Sequence, residues 1–422
     1  MKTAPSRRKF LAASAAVGAA TLHAGAFAAA NDRTLRIGLV GCGGRGTGAA
    51  VNALQSDPNL KLTAMCDVFM DRLQDSLTAL KKKKNVAEKL DVTPDRCFDG
   101  FEGFDKLLKS DVDVVLLCTP PGFRPVQLRA AIEAGKHVFC EKPVAVDAAG
   151  VRSVIESARL AKEKSLSLCS GFCYRYDAGK RETVKRIHDG LIGDVAAIHS
   201  TFLTGALWHR GENPKWSPME YQLRNWYYFT WLSGDFIVEQ HCHNIDKARW
   251  VLNGAVPESA VSLGGRQVRT DSKWGHIFDH FATVYEFSGG RKVFSFCRQI
   301  PGCQTDVNDH VMGTKGQAQL MRHTITPTGG NPWTYEAESK SMYDVEHDEL
   351  IAGIRSGKII NDGESAAMST LMAIMGRNAA YSGKKITWKE MLASKEDLVP
   401  KTFAWGDHNV PGVPVPGVTK FI

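Results

Sequence analysis

What this chain lacks narrows it quickly. Past the first thirty residues no segment approaches the roughly 18 consecutive apolar residues that a membrane-spanning helix needs, although 43% of the 422 residues are hydrophobic. No repeat at solenoid or propeller spacing is visible. Proline is modest at 17 residues, no tract is of low complexity, and glycine reaches 39, a profile of a packed α/β enzyme rather than a linker-rich array. The length suffices for two cores. Charge of one sign is also scarce. The formal +8 includes Lys2, Arg7, Arg8 and Lys9, with no acid among the first thirty residues, so the remainder carries only +4. That balance points to neither nucleic acid nor a membrane surface as partner. The one dense basic run, Lys81 to Lys84, reads as a solvated face.

The N-terminus is more informative. Ser6-Arg7-Arg8-Lys9-Phe10-Leu11 matches the twin-arginine export pattern, followed by an Ala-rich stretch to about Leu22 and the small-residue run Ala26 to Ala30. Residues 1–30 are therefore expected to be a cleaved signal peptide, leaving a periplasmic or secreted protein with no membrane segment in its mature form. Twin-arginine export carries proteins already folded. Cys42 lies in a glycine loop, and Cys66, Cys118, Cys140 and Cys169 lie in or just after apolar strands. A chain folded in the cytoplasm keeps such residues as thiols, and no structural disulfide is expected.

Along the rest of the chain, apolar strands at Leu35–Val40, Leu60–Cys66, Val112–Cys118, His137–Cys140 and Leu166–Cys169 alternate with helical stretches. Such alternation implies right-handed βαβ crossovers and a buried parallel sheet over residues 33–173. The pattern then changes. Strands with turn signals at 195–204, 258–269, 279–288, 291–299 and 308–321, with Gly289-Gly290 as a hairpin turn, are followed by helices at 346–357 and 364–382. Residues 174–400 are expected to form an α+β domain with a mostly antiparallel open sheet. The tail 401–422 reads as extended, packed on the body or on a neighbouring subunit.

Gly41-Cys42-Gly43-Gly44-Arg45-Gly46 is a G-x-G-x-x-G sequence that follows a strand and opens a helix. In that context Gly41 makes the tight turn, Gly43 lets the backbone approach a pyrophosphate, and Gly46 lets the helix pack on the sheet. The free amides of the helix N-terminus complete an anion site. Asp67, 21 residues after Gly46 at the end of the second strand, suits the two hydroxyls of an adenosine ribose and repels a 2′-phosphate. The combination describes a Rossmann dinucleotide site that takes NAD rather than NADP.

Glu141-Lys142-Pro143 follows the strand His137–Cys140, at the sheet edge where such folds bind ligands. Farther on, Glu239, His243 and Asp246 stand at helical spacing, which would stack all three on one face, with Glu239 and His243 able to share a proton. A lone helical Glu–His pair is also commonly a surface salt bridge. His241 and His243 raise the question of a metal, but His-x-His diverges on a helix and no cysteine or carboxylate cluster completes a ligand set, so no metal is expected. The stretch 205–231 is rich in aromatics, which fit a carbohydrate pocket, a core or a subunit interface equally well. Trp208 and His209 are its foremost candidates for ligand contact. Arg175 fits either a substrate contact or an interdomain salt bridge.

In order and spacing, the Gly41–Gly46 loop, Thr119-Pro120, Glu141-Lys142-Pro143, Gly171-Phe172 with Arg175, the Glu239–His243–Asp246 set and Gly313-Thr314-Lys315-Gly316 resemble the glucose–fructose oxidoreductase, inositol dehydrogenase and rhizopine-catabolism (Gfo/Idh/MocA) family over about residues 34–395. The resemblance implies cofactor contacts at Gly41 to Gly46, Asp67, Thr119, Pro120, Glu141 and Lys142. It also implies a proton relay of Lys142 and His243, with Glu239 in place of the family's more usual Asp, beside a bound NAD that would lower the Lys142 pKa. Arg175, Trp208, His209, His241 and Asp246 are then candidates for the substrate side, Asp246 orienting either the substrate or its helix. His241 stands where the family typically has Gly, and Pro121-Gly122-Phe123-Arg124 replaces an Asn-His often found after Thr-Pro. Both departures bear on the substrate.

Three functional classes follow. One is an NAD-dependent oxidoreductase of sugar or glycoside hydroxyls with a tightly held, internally recycled cofactor. The second is a redox-neutral glycosidase or lyase working through a transient keto-sugar, with a Tyr from 221–228 or His241 as base. The third, a non-enzymatic sugar-binding protein, predicts a degraded site. By analogy with the family, a homo-oligomer is expected.

Overall fold

The computed structural model describes residues 33–422; the export signal expected at residues 1–30 lies outside them. The first strand, Leu-Arg-Ile-Gly-Leu-Val, is almost wholly apolar and is buried at five of six positions, as a parallel strand covered on both faces must be. It is β1 (Leu35–Val40), followed by α1 (Gly44–Gln55), β2 (Leu60–Cys66), α2 (Met70–Lys81), β3 (Cys97–Phe98), α3 (Gly103–Lys109), β4 (Val114–Leu117), α4 (Arg124–Glu133), β5 (His137–Cys140), α5 (Ala148–Glu163) and β6 (Leu168–Ser170). All six strands are parallel, in the order β3-β2-β1-β4-β5-β6. The order reverses between β1 and β4, and ligands bind outside the carboxyl ends of the strands at such a point.

The second half contains α6 (Ala178–His188), β7 (Val195–Thr204), α7 (Pro218–Arg224), α8 (Thr230–Ser233), α9 (Phe236–Glu239) and α10 (Cys242–Val251). It continues with β8 (Ser259–Gly265), β9 (His280–Glu286), β10 (Lys292–Gln299), β11 (Asp306–Gly313), β12 (Gly316–Gln319), β13 (Thr324–Pro327) and β14 (Trp333–Thr334), then α11 (Met342–Ser356), α12 (Gly363–Ser382), β15 (Ile386–Thr387) and α13 (Trp388–Ala393). Its nine strands lie in the order β14-β13-β12-β11-β7-β10-β9-β8-β15 and pair antiparallel except β7 with β10. The expected strand over 308–321 is two strands, β11 and β12, turning at Thr314-Lys315. The apolar helix α12, nearly all of it buried, fills the space under one face of this sheet.

One helix crosses between the halves. α11 packs Leu350 and Ile351 into the same core as Ile37, Leu39, Ala50 and Leu54 of the first domain. All ten cysteines are free thiols. Among the described residues, no helix is long and apolar enough to cross a membrane, and no group of His, Cys, Asp and Glu could hold a metal ion. The run Lys81 to Lys84 is exposed at the end of α2.

Candidate active site

The site is a cleft of about 870 Å³ between the two domains, within the range of small-molecule pockets. Its floor begins with the glycine loop. Gly41 has φ +90°, and a Cβ there would lie 2.6 Å from the Cys118 carbonyl carbon. A Cβ on Gly46 would lie 1.8 Å from the Gly41 carbonyl oxygen, so this crossing of helix and strand admits only glycine. Gly43 and Gly44 differ: a Cβ on either would meet no protein atom, because they face the cleft. Helix α1 has Gly43 as N-cap and no side-chain cap, which leaves its first amides to serve a phosphate. Asp67 lines the same cleft and accepts hydrogen bonds from the amides of Cys42 (2.7 Å) and Phe69 (3.0 Å). An open glycine cradle, uncapped helix amides and a carboxylate at the end of β2 fit an NAD molecule.

Arg45 and Glu141 are brought together rather than aimed at a ligand. Glu141 accepts from the Arg45 guanidinium and from the Lys142 amide (3.0 Å), and Arg45 also reaches Glu346 of α11 at 2.9 Å. Burial pushes the Glu141 pKa up, but Arg45 and the neighbouring cations bring it below the usual value, so Glu141 is a carboxylate. Burial and the Glu141 charge hold Glu346 far above its usual value, so Glu346 is protonated. Thr119 donates to Gln127 at 2.6 Å and lines the cleft beside Pro120.

Lys142, at the carboxyl end of β5, donates to the Glu239 backbone carbonyl (2.6 Å) and to its carboxylate (3.2 Å). That carbonyl, which accepts from no backbone amide among the described residues and accepts also from the Cys242 thiol, is available to Lys142 for a local reason. The helix expected through Glu239, His243 and Asp246 is broken: α9 ends at Glu239, α10 begins at Cys242, and His243 N–H bonds to Gln240 instead of Glu239. Helix α9 is itself set by Asp235, whose φ of +72° is held by its buried carboxylate accepting from Phe236 N, Phe278 N and Tyr381 OH. Neither the backbone break nor the strained turn follows helical spacing, and each side chain is aimed differently from the one-face arrangement. Glu239 pairs with Lys142, not with His243.

The charges settle roles. Burial acts to lower the Lys142 pKa, but the Glu239 carboxylate more than offsets it, and the net shift is upward. The protein's own groups thus oppose the lowering expected beside NAD. His243 is held well below its ordinary pKa by burial and by Lys142, Lys247 and Arg45, so its imidazole is neutral. It lines the cleft with its ring edge-on to Phe172 and Tyr174, while its Nδ1 is buried without a partner.

Two expected substrate contacts, His241 and His209, are corrected, and for Arg175 and Asp246 the structure takes the salt-bridge and helix-orienting alternatives. His241 is fully buried and its Nε2 pairs with Ser295 Oγ at 2.6 Å, because the turn at Gln240 swings it into the sheet. Asp246 is buried, accepting from Arg175 at 2.8 and 2.9 Å and from Ser369 at 2.7 Å, while the Arg175 guanidinium stacks on Trp250. Arg175 and Asp246 are therefore a structural tie between the 173–176 turn and α10, away from the cleft. His209 accepts from Gly211 N through Nδ1, which leaves Nε2 as donor to Lys273 O at 3.1 Å; it buttresses the insertion. Trp208 does line the cleft, packed against Trp226 and Tyr227, with Arg210 over its ring. Sequence reasoning did not single out Tyr174, Gln240 and Phe403, which also line it. Aromatic richness pointed toward Tyr227, but nothing local pointed to Phe403, 160 residues beyond His243.

Comparison with known proteins places this geometry. Residues 35–171 match the model of an oxidoreductase family with an NAD-binding Rossmann fold, and residues 181–319 match the GFO/IDH/MocA C-terminal domain. The chain is 29% identical over 380 residues to a myo-inositol 2-dehydrogenase of Thermotoga maritima, covering 85% of this chain and all of that one. It is 26% identical to an inositol 2-dehydrogenase of Pseudomonas savastanoi, covering 82% of this chain and 95% of that one. The fold is similar to that of an aldose–aldose oxidoreductase of Caulobacter crescentus (TM-score 0.64, 20% identity, 84% and 100% of the two chains). It is similar also to that of a levoglucosan dehydrogenase in complex with NADH and levoglucosan (TM-score 0.65, 16% identity, 84% and 99%).

Proposed function

The chain belongs to the Gfo/Idh/MocA family of NAD-binding oxidoreductases, and from that premise we propose that it oxidises a secondary hydroxyl of a sugar, cyclitol or glycoside. One observation carries this: Lys142, Glu239 and His243 line the same cleft as the glycine loop, at the carboxyl end of β5. When bound, the nicotinamide supplies the hydride acceptor. The neutral His243 takes the hydroxyl proton. The Lys142 ammonium, fixed by Glu239, donates to the same oxygen and stabilises the negative charge it gains. Trp208 and Tyr227 offer apolar ring faces to substrate C–H groups, and Gln240 and Tyr174 offer hydrogen-bonding groups. The inositol dehydrogenases among the relatives support a polyhydroxylated ring as substrate. The test is a panel of cyclitols, aldoses and glycosides, followed at 340 nm. Reduction driven by one substrate class supports the reading. Glycoside cleavage without net reduction would favour the transient keto-sugar route, with a base other than His241, which faces the sheet.

Glu239→Gln supplies a finer test. Without the carboxylate that raises it, Lys142 is left with burial, which lowers it. The ammonium form is lost as pH rises through the Lys142 pKa, so the alkaline limb of kcat/KM should move acidward by about one pH unit or more. An unmoved limb would mean that Lys142 is not the titrating group.

The twin-arginine pattern and the scarcity of NAD outside the cytoplasm support export with a captive cofactor, recycled by a second substrate. The outer face of the second sheet supports a homo-oligomer. Val261, Leu263, Val284, Phe294, Phe296 and Met312 share that face by register, with Leu263 78% exposed. These apolar side chains, interleaved with His199 and His310, fit burial against a second copy. The double substitution Leu263→Lys and Phe296→Glu should reduce the mass measured by light scattering to that of a monomer. A mass unchanged by it would place the interface elsewhere.

A further inference from the structure

The C-terminal tail crosses the mouth of the cleft. After α13 it is anchored by Glu396, which accepts from Asn378 (3.0 Å) and from the buried Arg377, and by Leu398 N–H, which donates to Asp147 at 2.8 Å. It then runs out over the first domain and comes back. Gly417 N–H donates to the Ser382 carbonyl at 2.9 Å, and Ser394 Oγ donates to the Ile422 carbonyl. The segment between these anchors is a strap tied at both ends to α12 and its surroundings.

What the strap carries there is aromatic. Phe403 lines the cleft and packs on Phe101 (5.7 Å), Phe123 (4.9 Å) and Trp231 (6.2 Å between ring centroids). Trp405 packs on Phe101 (4.8 Å) and Phe69 (5.9 Å) and is still 49% exposed. The aromatic insertion grips the strap's outer turn: Met219 N–H donates to Gly406 O at 3.0 Å, and Gln222 Nε2 donates to His408 O at 2.9 Å.

The position of these rings is decisive. Asp67, at the end of β2, marks the adenosine ribose. Phe69 lies two residues beyond it, and Phe101 follows β3, the strand next to β2. The nicotinamide half lies instead toward β5 and Lys142. Trp405 therefore stands beside Phe69 and Phe101 at the rim of the adenine end, and Phe403 reaches into the cleft between Phe101 and Phe123, which follows β4. An aromatic side chain there gives a purine a stacking partner. Tied at both ends, the strap holds the Phe403 ring over this part of the cleft.

We infer that Phe403 and Trp405 are part of the dinucleotide site and that the C-terminal strap slows release of NAD. The inference rests on the cleft holding NAD and gives the captive-cofactor reading a physical means.

The experiment loads the full chain with NADH and chases it with excess NAD⁺, following loss of bound-NADH fluorescence. Phe403→Ala and Trp405→Ala should each release NADH about tenfold faster or more than the unaltered protein. Phe403→Leu keeps apolar packing on Trp231 and removes the ring, so it reports on stacking should the alanine variant fold poorly. In the unaltered protein, amide exchange over residues 401–409 should slow when NAD is added, which a merely structural tail would not do. Release rates within twofold of the unaltered protein in all the folded variants, or a tail whose exchange ignores NAD, would overturn the inference. The captive-cofactor reading stands or falls separately, on the amount of NAD(H) that the unaltered protein carries when purified.

Discussion

Lys142→Met should slow hydride transfer by about 10³-fold or more while leaving NAD affinity within a few-fold. The large effect follows from where Lys142 sits. Its ammonium is mostly buried, and it is the one lysine lining the cleft among the described residues. Its two contacts, the Glu239 carbonyl and carboxylate, belong to the second domain rather than to the glycine loop. Methionine keeps the length of the side chain and removes only the charge and its donors. The Gly41–Gly46 cradle and Asp67 are untouched, hence the preserved NAD affinity. His243→Ala should cost about 10²-fold or more through loss of the base. Because both groups act on one oxygen, the double variant should cost less than the product of the single losses. Single-turnover absorbance at 340 nm, with NAD binding measured beside it, gives each number. A Lys142→Met protein of ordinary rate would remove the relay from the account.

His347→Leu should stabilise the protein more at pH 5 than at pH 7.5, by about 2 kcal/mol. His347 is fully buried in α11 with both ring nitrogens unpartnered, its ring tilted against Phe139 at 4.3 Å between centroids. Burial, with a smaller contribution from Arg45, lowers its pKa to about 3. The unfolded chain binds a proton on this imidazole below about pH 6.5, and the folded chain does not until far lower. Stability is therefore lost as pH falls from about 6.5 toward 3, and a leucine in its place removes that loss. His241, near 3, and His276, near 4, are lowered by burial in the same way and steepen the acid limb of the native protein. Asp235, raised to about 6 by burial, acts in the opposite sense. The difference between the leucine variant and the native protein isolates His347 from these neighbours. Denaturant melts at the two pH values measure it, and an equal gain at both would mean that His347 is not a buried neutral imidazole.

Much of this architecture is legible in the sequence because it rests on short-range chemistry. Strands β1, β2, β4 and β5 announce themselves as apolar runs, and β7 and β10 by alternation between turns. The glycine loop carries its own steric logic, since a Cβ at Gly46 collides with the backbone of Gly41. The misreadings share one cause: tertiary contacts override local period. Helical spacing put Glu239 and His243 on one face, but Asp235, held by Phe278 and Tyr381 from distant segments, starts a turn that ends at Glu239 and sends His241 into the sheet. Asp246 has the right spacing for a site residue and is claimed by Arg175 and Ser369. The return of α11 to the first domain and the arrival of Phe403 over the cleft depend on segments hundreds of residues apart. No window of sequence holds that information.

The cleft is proposed to bind NAD, and its own residues to use it to oxidise a carbohydrate hydroxyl. The most direct test is to purify the protein without added nucleotide, denature it and quantify the dinucleotide released, while the native protein is mixed with the responsive substrate and followed at 340 nm. On this reading, near-stoichiometric NAD(H) and one equivalent of reduction are expected, the latter lost in Lys142→Met. A protein that carries no dinucleotide, gains none when NAD is added and reduces none with any polyhydroxylated substrate would contradict it.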